Sequence, residues 1–290
     1  MPKFAANLNF LFVDAAFLDR FDRAASAGFR AVEFPIPYAH DKNELSERAR
    51  RAGVEVVLIN LPAGDWDKGE RGIACLPSRV SEFRDGVGRA IEYARALGCT
   101  RINCLSGLAP ARVPVDRLRE TFISNLRFAA GELEREGISL VIEPINTRSM
   151  PGFYLRNSGQ ALAIMDEVAV GNLKLQYDVF HMQIMEGDLA KTIEANIARI
   201  GHIQVADVPD RHEPGSGEIN FPFLFEQIDR LGYQGWIGCE YTPAGRTEDG
   251  LGWLKPYLEP AGVPQVTAPG AQVPAPDKPA DKHPEGGDER

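Results

Sequence analysis

The sequence predicts a single (β/α)8 barrel, and three observations predict it. Short apolar runs alternate with longer amphipathic stretches about eight times along the chain. Gly28, Gly53, Gly98, Gly137 and Gly232 each fall shortly before such a run, where a helix ends best on a left-handed residue. The 290 residues, 44% of them apolar, supply one sizeable core rather than two. A right-handed series of eight βα units closes naturally into a barrel of about 250 residues. An open doubly wound sheet would usually carry a glycine fingerprint after its first strand, and Asn7–Phe12 has none.

The expected strands, in order, are Phe4–Asn7, Ala31–Phe34, Val54–Ile59, Arg101–Cys104, Leu140–Glu143, Lys174–Asp178, His202–Val205 and Trp236–Glu240. Helical spacing appears between them. Phe17, Phe21, Ala24 and Ala25 share one face of Phe17–Ala27, and Phe83, Val87, Ile91 and Ala94 share one face of Glu82–Leu97. Val115–Glu136, Ser158–Glu167 and Phe223–Leu231 read the same way. The barrel domain is expected over residues 1–258. From Glu259 to Arg290 the chain is rich in Pro, Ala and Gly and has almost no large apolar residue, so a disordered tail is expected there, with His283 outside the chemistry.

Charge and cysteine usage narrow the class. The formal charge is −9, of which six acids and three bases in the tail contribute −3. A nucleic-acid partner is not expected, because phosphate binding rewards a basic face. Cys75, Cys99, Cys104 and Cys239 form no CxxC pair and read as reduced, buried thiols. The first residues are too short and polar for a secretory signal, and no run of about 18 apolar residues suggests a membrane span. The expectation is a soluble cytoplasmic protein with a small-molecule substrate, no membrane partner, and pairing into a homo-oligomer left open.

Barrel enzymes assemble their sites at the carboxyl ends of the strands, so the informative residues are those that end each run. Glu143 ends LVIE, Asp178 ends LQYD, Gln204 lies near the end of HIQV, and Glu240 ends WIGCE. These positions are separated by 35, 26 and 36 residues, each close to one βα unit. A lone strand-end carboxylate is often a helix cap or an ion-pair partner. Four oxygen-bearing side chains on consecutive strands are harder to explain that way, because clustered acids repel unless a cation or a shared proton compensates them. Three carboxylates and an amide oxygen make a hard donor set suited to a divalent metal such as Mg²⁺ or Mn²⁺.

His181, three residues after Asp178, is a candidate hydrogen-bond donor to a substrate oxygen, and His202 is a candidate lining or filling residue. His40 and His212 read as loop residues. Two polar loops, Asn60–Arg79 with Trp66, Glu70 and Arg71, and Asp207–Asn220 with Arg211 and Glu218, are candidate lids. Arg211 and Arg71 are the candidate cationic clamps for an anionic substrate.

The segments NLPAGDWDKGERGIACLPSR, EPIN, PGFYL, QYDVFHMQIMEGDL, HIQVAD, EPGSGEIN and GYQGWIGCEY together resemble bacterial hydroxypyruvate isomerase, within the xylose-isomerase-like TIM barrel superfamily. The resemblance runs from about Phe4 to about Tyr257. It implies reversible interconversion of hydroxypyruvate and tartronate semialdehyde, with Glu143 and Glu240 as the acid/base pair and Glu143, Asp178, Gln204 and Glu240 as metal ligands. The related 2-oxotetronate isomerases share these ligands; the GERGI segment favours the hydroxypyruvate enzyme. A DNA-repair nuclease on the same barrel would need more histidines and a basic groove. A non-catalytic sugar-acid binding module is the third reading.

Overall fold

The computed structural model describes residues 1–258; the expectation of a disordered tail over 259–290 lies outside the described residues. Eight parallel strands close into a barrel in sequence order. They are β1 (Lys3–Asn7), β2 (Ala31–Glu33), β3 (Glu55–Asn60), β4 (Arg101–Cys104), β5 (Ser139–Ile142), β6 (Leu173–Asp178), β7 (Ile200–Val205) and β8 (Trp236–Cys239). The circle is completed by β1 against β8, with Phe4 opposite Ile237 and Ala6 opposite Cys239. All eight expected strands are present. Glu143 and Glu240 lie one residue beyond the last paired residue of β5 and β8.

The helices follow their strands: α1 (Arg20–Ser26), α2 (Lys42–Ala52), α3 (Val80–Leu97), α4 (Val115–Glu134), α5 (Ser158–Val168), the pair α6 (Val179–Met185) and α7 (Leu189–Asn196), and α8 (Phe221–Arg230). After β8 a 3-10 run over Thr247–Tyr257 takes the place of a helix. It brings Trp253 edge-on to Phe4 at 5.1 Å and stacked near Phe225 at 5.8 Å, which seals the barrel wall at β1. Gly53 and Gly98 end α2 and α3 at φ of 69° and 64°, and their N–H groups return to the last turn as left-handed caps do.

Two apolar layers result. The large one lies between strands and helices and contains Phe21, Phe122, Leu126, Phe225 and Leu254. A small separate cluster of Ala5, Ala31 and Val57, with Trp236 packed on it, marks the inward faces low in the barrel. Side chains alternate across a strand, so Asn7, Glu33 and Glu240 sit two or four positions above Ala5, Ala31 and Trp236 on the same inward faces. The barrel interior therefore passes from apolar at the bottom to polar at the carboxyl end. Among the described residues, no helix is long and apolar enough to cross a membrane.

Candidate active site

Polar side chains at the carboxyl ends of the strands meet in two stacked cavities. The lower holds only about 10 Å³ and is lined by Asn7, Glu33, Asn103, Gln176 and Gln204. The upper, about 160 Å³, is lined by Phe10, Trp66, Met150, His181 and Arg211. Glu143 and Glu240 belong to the walls of both, so both face the space where a small molecule would lie.

The floor is built around Glu33, which is fully buried. Its Oε1 accepts from Asn7 Nδ2 at 2.9 Å and from Gln204 Nε2 at 2.8 Å; its Oε2 lies 2.6 Å from His202 Nε2. A carboxylate oxygen accepts, so Gln204 must present its NH2 to Glu33 and turn its Oε1 away. That Oε1 accepts from Gln176 Nε2 at 2.6 Å and keeps a second lone pair. Asn7 Nδ2 also donates to Glu240 Oε1 at 3.2 Å, so Glu33 is one step from two strand-end residues. Gly238 makes this possible: a Cβ there would fall 2.4 Å from both Glu33 carboxylate oxygens.

The rim gathers three acids under one guanidinium. Arg211 donates to Glu240 Oε2 at 2.7 Å, lies 3.6 Å from Asp178 Oδ2, and is stacked between the rings of Phe10 and Phe180 at 4.8 and 5.1 Å. Its backbone is held at a φ of 60°, a conformation uncommon outside glycine. The loop that holds it is stapled by Asp207. This buried carboxylate accepts from the N–H groups of Val208, Gly215, Gly217 and Ile219 at 2.9–3.1 Å. Gly217 is required there, since a Cβ would sit 1.9 Å from the Val208 oxygen.

Burial and neighbouring charge raise the two glutamates. Glu143 is pushed well above the usual carboxylate range by burial, then by the nearby Glu240 and Asp178 charges, with Arg211 and a bond from Asn103 opposing. Burial pushes Glu240 up to about 8, against the pull of Arg211 and with the help of Asp178 and Glu33. His181 is pulled down to about 4 by burial, so its ring is neutral at ordinary pH. Asp178 caps α6 through Oδ1, which accepts from Phe180 N at 2.8 Å, while its buried Oδ2 has no hydrogen-bond partner among the described residues. Glu143, Asp178 and His181 each offer an atom within 4.8 Å of the others. An orphaned carboxylate oxygen among raised, repelling acids is what a divalent cation would relieve, and the rim fits one.

The structure thus brings Glu143, Asp178, His181, Arg211, Gln204 and Glu240 together. It places Arg71 differently: the guanidinium stacks 4.1 Å from the Trp66 ring and donates to the Trp66 and Glu70 carbonyls. Trp66 is in the cavity wall and Arg71 is not. His202 lies in the floor, bound to Glu33. Glu33, Asn7 and Asn103, on the first four strands, and Gln176, two residues below the end of β6, are site residues that a search of the last four strand ends does not reach.

Comparison with known proteins agrees with this geometry. The sequence profile of the xylose isomerase-like TIM barrel family matches residues 21–257. A 2-oxo-tetronate isomerase from Cupriavidus necator is 53% identical over 89% of this chain and 99% of its own length. A hydroxypyruvate isomerase from Escherichia coli is 52% identical over 89% of this chain and 100% of its own. A solved structure from Brucella melitensis, described as an AP endonuclease of family 2, superposes with a TM-score of 0.88 at 44% identity, covering 89% of this chain and 100% of that one. With matches that span nearly the whole barrel, the chain belongs to the xylose isomerase-like TIM barrel family.

Proposed function

We propose that this protein is a sugar-acid isomerase, and within that class a hydroxypyruvate isomerase. The observation that carries the reading is the pair Glu143 and Glu240, two raised carboxylates in the wall of one small cavity. Relatives more than 50% identical carry isomerase names of two kinds, hydroxypyruvate and 2-oxo-tetronate.

The reaction moves one proton between adjacent carbons. Hydroxypyruvate loses a proton from C3 to a carboxylate, giving an enediol. Return of a proton to C2, with the hydroxyl proton passing from the C3 oxygen to the C2 oxygen, yields tartronate semialdehyde. A base whose affinity for protons lies near neutrality takes and returns them with little driving force either way. Glu143 and Glu240 are the proton-transfer pair in this reading. Arg211 steers the substrate carboxylate, His181 donates to a substrate oxygen, and Arg71 acts by bracing Trp66 in the wall. Glu143, Asp178, Gln204 and Glu240 would hold a divalent cation, Mg²⁺ or Mn²⁺. When bound, such a cation polarises the carbonyl and stabilises negative charge on the enediol oxygen.

The GERGI segment of the Asn60–Arg79 loop favours hydroxypyruvate over the 2-oxotetronates. The test is a proton-resolved NMR assay of the chain with both acids in competition, in Mg²⁺ and in Mn²⁺. Preferential exchange at C3 of hydroxypyruvate, with growth of the semialdehyde, is expected. Faster turnover of 2-oxotetronate reverses the substrate choice, and turnover of neither acid overturns the function.

A further inference from the structure

Asn146 follows Glu143 by three residues in EPIN and is fully buried. Its Oδ1 accepts the Ser149 backbone N–H at 2.6 Å. A backbone N–H can only donate, so the atom facing it is the carbonyl oxygen, and the orientation of the amide is fixed. The other end, the NH2, lies 2.6 Å from His181 Nδ1. An amide NH2 also only donates, so Nδ1 must accept and the ring proton must sit on Nε2. The opposite tautomer, or a doubly protonated ring, would set N–H against N–H between two buried side chains.

On the far side of the ring, Nε2 lies 3.4 Å from Asp178 Oδ2 and 3.7 Å from Glu143 Oε1, and the ring forms part of the upper cavity wall. A nitrogen that carries its proton has no lone pair for a cation. We infer that Asn146 is a positioning residue that fixes His181 as the Nε2–H tautomer, which removes His181 from any metal-ligand set and makes it a neutral hydrogen-bond donor to a substrate oxygen. Of the three clustered groups, only Glu143 and Asp178 then remain as ligands. The rest of the coordination falls to other oxygen donors of the rim. The donor role toward substrate rests on the isomerase reading; the tautomer does not.

The test is the long-range ¹H–¹⁵N spectrum of the histidine rings in the full ¹⁵N-labelled chain, with His181 assigned by its loss in His181→Asn. The Nε2–H pattern is expected both in the metal-free protein and in Mg²⁺. An Nδ1–H pattern, or disappearance of the Nε2 proton on adding Mg²⁺, overturns the inference. These spectra need no substrate and no further variant, so they decide it even if the chain turns over neither acid, a result that would count against the proposed function alone. In Asn146→Asp the carboxylate accepts instead of donating. The ring is then expected to carry a proton on Nδ1, with kcat/KM lowered about tenfold or more, the scale of one misplaced hydrogen bond in the transition state. A merely structural Asn146 would lower stability and leave the ring pattern unchanged. That pattern, or an Nδ1–H ring with unaltered kcat/KM, refutes the positioning role.

Discussion

Asp207→Asn tests how the arginine-bearing loop is held. The Asp207 side chain is buried, and its two oxygens divide four backbone N–H groups between them. Oδ1 takes Val208 and Ile219, and Oδ2 takes Gly215 and Gly217. Asparagine keeps the shape but turns one oxygen into an NH2, so two backbone donors face a donor. Hydrogen bonds to a carboxylate contribute about 1.5–3 kcal/mol each, and part of the lost pair is recovered as exposed loop residues turn to water, leaving a net loss of about 2–4 kcal/mol. Urea unfolding followed by tryptophan fluorescence reads this as a lower midpoint at unchanged slope. The same substitution lets Arg211 leave Glu240, so kcat/KM falls together with stability. A loss below about 0.5 kcal/mol, the level of an ordinary surface change, with activity intact would show that the loop does not depend on this staple.

Glu240→Gln is expected to leave thermal unfolding near that of the unaltered protein and to lower turnover about 10²-fold or more, measured by the C3 proton exchange assay. Glu143 and Glu240 take up protons more readily in the folded than in the unfolded chain, so in chelator the folded state is favoured at low pH. Its stability declines as pH rises from about the ordinary carboxylate value through the value of about 8 to which Glu240 is raised, and Mg²⁺ flattens the decline; a scan of melting temperature against pH, with EDTA and with Mg²⁺, reads both, and a flat chelated profile contradicts the burial of these acids. Gly238→Ala drives a methyl into the Glu33 carboxylate, and a tenfold or greater weakening of Mg²⁺ binding is expected by calorimetry, since the orientation of Gln204 depends on Glu33. Arg211→Lys keeps the charge but loses the flat face stacked between Phe10 and Phe180. KM for the acid substrate should rise about tenfold in steady-state assays, and an unchanged KM would remove Arg211 from substrate steering.

The barrel was legible because its signals are local and repeated. Each strand is a short apolar run, and glycines such as Gly53 and Gly98 mark where helices must stop. Helix α2 escaped notice because KNELSERARRA buries only Leu45 and Ala49, too thin a stripe to stand out among charges. The α6–α7 pair is short and broken at Asp188, so no helical period has room to develop. Glu143, Asp178, Gln204 and Glu240 were readable as strand ends. Asn7, Glu33 and Asn60 end the first three strands in the same way, and Asn103 lies one residue before the end of β4. What no pattern could supply is direction. Arg71 and Arg211 look alike in sequence, yet one folds onto Trp66 and the other reaches two acids, because loop backbones, not residue types, aim them.

Arg211 is carried by the segment after β7, Phe10 by the segment after β1, and Phe180 by the start of α6. These three separately encoded pieces meet at one guanidinium, so their energies do not add. Substituting any one alters what the other two are worth, and a double-mutant cycle between Phe10 and Phe180 should return a coupling energy although neither ring needs to touch the other. The practical meaning is epistasis. A change of substrate range sought by exchanging a single loop would break the sandwich before it reshaped the cavity, and successful variants should alter all three segments in concert.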